Sequence, residues 1–215
     1  MSKYLLPAEQ VCAAYDELRV KVTELMQGIS VERAQTVVPH CPQWTVKDCL
    51  AHMIGVPEDV INGQMDGVTT DAWTDRQVQR HAQDSVDDLL ATWSTIAPTF
   101  ASILPRIPQP VLSQFMFDQA NHEQDIRAAL KQPGGRDSAA VAAAEGFLRD
   151  SLSRNSDIAI AQLADHELTG FEFLRSLSGR RSLSQISNNG LPKETVERFI
   201  STAPFHIPES DISYD

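Results

Sequence analysis

Asp118 and His122 stand four residues apart in Phe115-Met116-Phe117-Asp118-Gln119-Ala120-Asn121-His122-Glu123-Gln124-Asp125-Ile126-Arg127. A helix advances about 100° per residue, so the carboxylate and the imidazole project together among Val111, Phe115, Ile126 and Ala129, while Glu123, Gln124 and Arg127 project elsewhere, toward solvent. An isolated carboxylate on an apolar face costs roughly several kcal/mol, so another element must supply a partner. A divalent metal is one such partner. Neutral imidazoles and a carboxylate converge on zinc at about 2.0 to 2.2 Å and leave a fourth position for water or substrate.

The chain has six histidines, His40, His52, His81, His122, His166 and His206. Only His52 and His122 fall inside the bundle helices that periodicity marks most clearly, which makes His52 the candidate third ligand. Its own surroundings support a plainer reading as well. On its helix it sits beside Asp48 and Cys49 and away from Leu50 and Met53, the pattern of a partly exposed structural histidine. Asp118 with His122 equally suits a buried hydrogen-bonded pair that orders a bundle.

The elements that would position these groups are legible along the chain. Val11, Tyr15, Leu18, Val22, Leu25 and Ile29 alternate steps of four and three, which predicts a helix from Pro7 to about Gly28 or Ser30. A loop rich in Pro and Cys follows, Val38 to Trp44. Thr45 and Asp48 form a capping-box-like start for a second helix through Val46, Leu50, Met53 and Ile54, which carries His52. Residues 56 to 84 are polar and acidic, with some helix expected around Asp75 to His81. Ser85 and Asp88 repeat the capping pattern ahead of Leu89, Trp93, Ile96, Phe100 and Ile103, with Pro98 expected to kink that helix. The fourth helix runs from about Val111 to Leu130 and stops before Pro133-Gly134-Gly135. Four helices in about 130 residues predict a four-helix bundle.

The remainder differs in pattern. Ser138 to Arg154 reads as an Ala-rich helix and Asp157 to Leu163 alternates weakly, as a short strand would. Thr169 with Glu172 caps a helix through Leu177 that ends at Gly179. Pro192 opens a last helix through Val196, Phe199 and Ile200. The chain thus divides into a bundle over 1–132, a small subdomain over 133–201 and an aperiodic tail over 202–215.

Global composition narrows the function classes. The 215 residues are 42% hydrophobic and 22% charged, ordinary for a globular protein. With 18 basic against 29 acidic residues and a formal charge of -11, the footprint of a nucleic-acid binder is missing. No apolar run suits a membrane span or a signal peptide, so the expectation is a cytoplasmic protein with no membrane partner. Cys12, Cys41 and Cys49 are an odd set without CxxC spacing, which fits reduced thiols and disfavours a cysteine-based zinc site.

Three stretches carry a family resemblance. They are Cys41-Pro42-Gln43-Trp44-Thr45-Val46-Lys47-Asp48-Cys49-Leu50-Ala51-His52, then His122-Glu123-Gln124-Asp125-Ile126-Arg127, then Phe171-Glu172-Phe173-Leu174-Arg175-Ser176-Leu177-Ser178-Gly179-Arg180-Arg181-Ser182. In this order they resemble the mycothiol-dependent maleylpyruvate isomerase family of the DinB-like superfamily. The resemblance implies a mainly α fold, a DinB-like four-helix bundle with a small C-terminal α(+β) subdomain. It also implies a divalent metal, usually zinc, held by His52, Asp118 and His122. Asp118 stands where many members carry Glu, one methylene longer. The short stretch between Arg154 and Thr169 implies that the C-terminal subdomain is reduced.

The implied chemistry is metal- and thiol-dependent. A mycothiol-type thiol, as cosubstrate, adds to a small-molecule electrophile, and the reaction is an isomerisation or an S-transfer. The alternative is a non-catalytic metal- or ligand-binding bundle that acts as a sensor or interaction module. Asp125 would orient a ligand imidazole through its second nitrogen or form a helix salt bridge. Arg180 and Arg181 would meet an anionic substrate or simply lie in a solvated turn. Trp44 reads as packing at a helix start, and Asp165-His166-Glu167 as a surface turn. A monomer or homodimer is expected.

Overall fold

The computed structural model describes residues 2–202 and 205–212. Thirteen elements follow one another: α1 (Ala8–Met26), α2 (Val31–Ala34), β1 (Val37–Val38), β2 (Cys41–Thr45), α3 (Val46–Asn62), α4 (Asp71–Arg80), α5 (Val86–Ile103), α6 (Gln109–Leu130), α7 (Ala139–Ser153), α8 (Ile158–Gln162), α9 (Gly170–Leu177), α10 (Leu183–Asn188) and α11 (Lys193–Ile200). The fold is mainly α. Helices α1, α3, α5 and α6 form a DinB-like four-helix bundle in which α1 and α3 each touch both α5 and α6.

Local sequence explains where the bundle helices begin. The Thr45 hydroxyl accepts from the Asp48 N–H while the Asp48 carboxylate accepts from the Thr45 N–H, a complete capping box at the start of α3. Ser85 and Asp88 close the same reciprocal pair at the start of α5. Helix α6 ends at Lys131, which adopts the left-handed conformation with φ 55°. Side chains spaced by three and four then face inward: Val11, Tyr15, Leu18 and Val22 of α1 and Leu89, Trp93 and Phe100 of α5 are buried in one apolar cluster. At the centre, Trp93 Nε1 donates to Tyr15 Oη at 2.9 Å, and the Tyr15, Phe100 and Phe115 rings pack edge-on or tilted with centroids 5.0 to 5.4 Å apart.

Several sequence expectations are corrected. The stretch around Cys41 is not a plain loop: Val37–Val38 and Cys41–Thr45 pair as a short antiparallel ribbon. Asp157 to Leu163 is not a strand, because the Asp157 side chain accepts from the Ala159 and Ile160 N–H groups and caps α8 instead. Glu123 and Gln124 do not face solvent. Both are buried, because the loop at Gly134 and Gly135 folds back over them, and α7 packs along α6 beyond it. The small residues Ala140, Ala143 and Ala144 of α7 are buried with them. Glu123 then pairs with Arg127 at 2.8 Å, and Gln124 Nε2 donates to the Gly134 carbonyl at 3.2 Å. The companions expected for Asp118 and His122 also differ, since Val111 is half exposed whereas Phe115 and Ile126 are buried.

One apolar cluster runs from α1 through α6 into α7, α9 and α11 without a break. The C-terminal helices are thus packed onto the bundle by the same kind of contacts that build it. Of the tail, residues 203–204 and 213–215 lie outside the described residues, and the described part of 202–215 holds no helix or strand. Among the described residues, no helix is long and apolar enough to cross a membrane.

Thr45→Ala removes one half of the cap that starts α3. The expected loss is about 1 kcal/mol of folding free energy, read as a lower denaturant midpoint. An unchanged midpoint contradicts the role assigned to the box.

Candidate metal centre

His52 comes from α3, Asp118 and His122 from α6, and the bundle brings their side chains to one point. His52 Nε2 lies 3.2 Å and His122 Nε2 3.5 Å from the same oxygen, Asp118 Oδ1. The two imidazoles meet edge to face with centroids 4.8 Å apart. His52 is 1% exposed, which overturns the partly exposed reading. The rim that should have bared it is covered by Trp44 at the end of β2 and by Trp73 of α4, whose rings lie 5.1 and 6.4 Å from the imidazole. The Asp118 side chain keeps 34% of its surface open, while His52 and His122 keep 2% and 9%. Access to the cluster is therefore on the Asp118 side.

The far edge of each imidazole is occupied. His52 Nδ1 lies 2.7 Å from Gln77 Oε1. His122 Nδ1 lies 3.4 Å from Asp125 Oδ2. An amide oxygen and a carboxylate oxygen only accept, so each of these contacts favours a proton on Nδ1, and a neutral ring protonated there turns a bare Nε2 lone pair toward Asp118. Two lone pairs then face one carboxylate oxygen. That arrangement requires positive charge between them, as protons on the rings or as a cation. Burial pushes the Asp118 carboxyl up, but His52 and His122 outweigh it and hold the group far below the usual carboxylate range. Burial opposes charge on His122, and Cys49, Asp118 and Asp125 outweigh that to hold it well above an ordinary histidine.

The donor set fits zinc. A tetrahedral ion with bonds of about 2.0 to 2.1 Å keeps its ligand atoms roughly 3.3 Å apart, close to the two separations found here. All three donor atoms lie within 4.8 Å of one another. A second group, Cys41, His122 and Asp125, meets the same distance test, but its charge is wrong for a cation. Asp125 already takes Arg175 Nη1 at 2.7 Å and Arg180 Nη2 at 2.9 Å. Burial and Asp125 push the Cys41 thiol up to about 11, so an ion there would first have to displace its proton. Burial likewise raises the Cys49 thiol, which sits 3.4 Å from His122 Nδ1.

Asp125 is fully buried and joins three distant segments. Besides His122 it holds Arg175 of α9 and Arg180, and His40 Nδ1 lies 3.8 Å away. Arg180 and Arg181 are not in a solvated turn. Arg180 is anchored on Asp125, and Arg181 takes both oxygens of Glu172 at 2.9 and 3.0 Å. Gly179 makes the turn that sends Arg180 inward: its φ is +74°, and a Cβ there would meet the His206 carbonyl oxygen at 2.7 Å. Asp165 stays at the surface with Lys3 and Tyr4. Sequence reasoning missed Cys41, Cys49, Gln77 and Arg175. A polar residue inside the α4 pattern was the signal available for Gln77; Cys41, Cys49 and Arg175 lie in the stretches that carry the resemblance, but their partners on α6 are far away in sequence.

Helix α4 is tethered at its end by His81, whose Nδ1 and Nε2 lie 2.7 Å from Asp84 and 2.8 Å from Glu58. The Glu58 hydrogen bond raises the imidazole above its ordinary value, burial opposes this, and Asp84 adds to the rise.

The family model for the mycothiol maleylpyruvate isomerase N-terminal domain matches residues 15–111, just under half of the chain. The match spans most of α1 through the first residues of α6, so it includes His52 and stops short of Asp118 and His122. No curated protein and no solved structure matches the chain.

Two predictions follow from these ion pairs. Asp125→Ala strands two buried guanidinium groups and should cost roughly 3 to 5 kcal/mol, measured by urea unfolding; a loss below 1 kcal/mol, the scale of a surface pair, contradicts the network. For His81, the folded imidazole keeps its proton to higher pH than the unfolded chain does. Its contribution is full below about 6.5 and is lost as pH rises through the higher folded value. The wild-type urea midpoint should therefore fall over that rise more steeply than that of His81→Gln, and parallel profiles contradict the assignment.

Proposed function

We propose that this chain, whose residues 15–111 match the model of the mycothiol maleylpyruvate isomerase N-terminal domain, is a metal-dependent enzyme of small-molecule thiol chemistry, an isomerase or S-transferase acting on an electrophilic carbon. One observation carries the reading. Two buried imidazoles, each with an acceptor behind its Nδ1, turn their Nε2 atoms toward a single carboxylate oxygen. The family's name supports mycothiol as the cosubstrate.

His52, Asp118 and His122 would hold the ion, zinc by the chemistry of its donors. When bound, it supplies a Lewis acid that favours the thiolate form of a small thiol at neutral pH. The chain's own residues do the rest. Gln77 and Asp125 fix the two rings from behind. Trp44, its ring 5.1 and 5.5 Å from the His52 and His122 rings, walls the cluster and excludes water from one side. The exposed flank of Asp118 leaves the opposite side for thiol and electrophile. Arg180 acts on this site through Asp125, and Arg181 holds α9 in place through Glu172.

Metal analysis of protein purified without chelator tests the reading. Wild type should hold close to one equivalent of divalent metal, while His122→Ala and Asp118→Ala lose most of it. Thiol-dependent turnover of a conjugated electrophile should vanish on metal removal and return with zinc. Equal metal in wild type and His122→Ala overturns the site.

A further inference from the structure

Helix α4 carries polar residues that its exposed, acidic stretch does not explain. Gln77 is completely buried, Trp73 is nearly so, and both face His52. The Gln77 amide is held at both ends. Its Oε1 lies 2.7 Å from His52 Nδ1, and its Nε2 donates to Asp59 Oδ2 at 2.7 Å. Asp59 is itself buried and bonded to Arg80, which also pairs with Glu58 at 3.0 Å. A carboxylate accepts and cannot donate, so Asp59 decides which end of the amide turns toward His52. Flipping Gln77 would set its oxygen against a carboxylate and its NH2 against the ring.

Close approach of α4 to α3 makes this possible. Gly55 lies three residues after His52 on α3, where an added Cβ would sit 2.5 Å from Gln77 Cβ and 2.7 Å from its Cγ. No side chain fits between them. The glycine is the gap through which Gln77 reaches the back of the imidazole.

We infer that Gln77 is a positioning residue that locks His52 as the Nδ1–H tautomer and so presents Nε2 to the ligand cluster, with Asp59, Arg80 and Gly55 as the mounting that sets its amide. The inference rests on the reading of His52, Asp118 and His122 as metal ligands. Partners behind a ligating histidine set its tautomer and orientation, and losing one typically weakens metal binding about 10- to 100-fold. Asp59 belongs to the same device although it touches no ligand. Asp59→Asn lets the amide turn over, which moves the ring proton to Nε2 and removes the lone pair.

Two readouts test it, on chains whose far-UV spectra and thermal melts show them folded. Ring nitrogen NMR is read at alkaline pH, where the imidazole is neutral, on metal-free protein in an Asp118→Ala background, which removes the competing acceptor at Nε2. It should show His52 as the Nδ1–H tautomer, and no longer so once Gln77→Leu or Asp59→Asn is added. Zinc competition with a chelator should show both variants weakened by about 10- to 100-fold, with Gly55→Ala moving in the same direction. The reversed pair Gln77→Glu with Asp59→Asn keeps an acceptor against Nδ1 and a donor behind it, and should recover most of the affinity. Wild-type zinc affinity in Gln77→Leu and Asp59→Asn, or an unchanged His52 tautomer, overturns the inference. Failure of the metal reading is distinguishable: wild type would then bind no zinc while the Asp118→Ala chain still shows the Nδ1–H ring.

Discussion

Two imidazole nitrogens and a carboxylate oxygen confront one another inside a helix bundle, and the charge balance of that contact constrains what surrounds it. Lone pairs 3.2 and 3.5 Å from a carboxylate oxygen repel it unless positive charge lies between. Protons and a metal ion both satisfy the requirement, and they compete for the same lone pairs, so ion binding releases protons. The groups behind the rings decide what the site favours. Gln77 and Asp125 put acceptors behind both rings, and protons held there would leave the Nε2 pair as converging donors for an ion with short, directional bonds.

The two halves of the chain contribute different supports. Residues matched by the family model supply His52 and everything behind it: the Thr45–Asp48 cap that starts α3, Gly55, Asp59, and α4 with Gln77. Asp118 and His122 stand on α6, beyond that match. There α7 and the C-terminal helices close over the helix, and Arg175 and Arg180 reach Asp125 from behind His122. A buried carboxylate with two guanidinium groups is stable only while all three remain together. Asp125 therefore couples the packing of the C-terminal segment to the angle of the His122 ring.

Much of this was legible in local sequence. The period of three and four, the two capping boxes and the Pro-Gly-Gly stop place the bundle helices within a few residues. The spacing of Asp118 and His122 alone puts two donors on one face. What escaped depends on contacts between segments far apart. His52 appears exposed on its own helix because Trp44 and Trp73 cover it from outside that helix. Glu123 and Gln124 are charged or polar and still buried, because the loop at Gly134 and Gly135 folds back over them. Arg180 and Arg181 look like a solvated turn until Gly179 and Asp125 are set beside them. The weak alternation at 157–163 competed with a short-range cap from Asp157, and the cap decided the outcome.

X-ray absorption at the zinc edge of the metal-loaded protein, with no small thiol added, tests the central claim most directly. The account predicts a first shell of nitrogen and oxygen alone at about 2.0 to 2.2 Å, with the outer-ring scattering of two imidazoles. A sulfur scatterer at about 2.3 Å would place the ion with Cys41 or Cys49 instead, and would contradict the assignment of His52, Asp118 and His122.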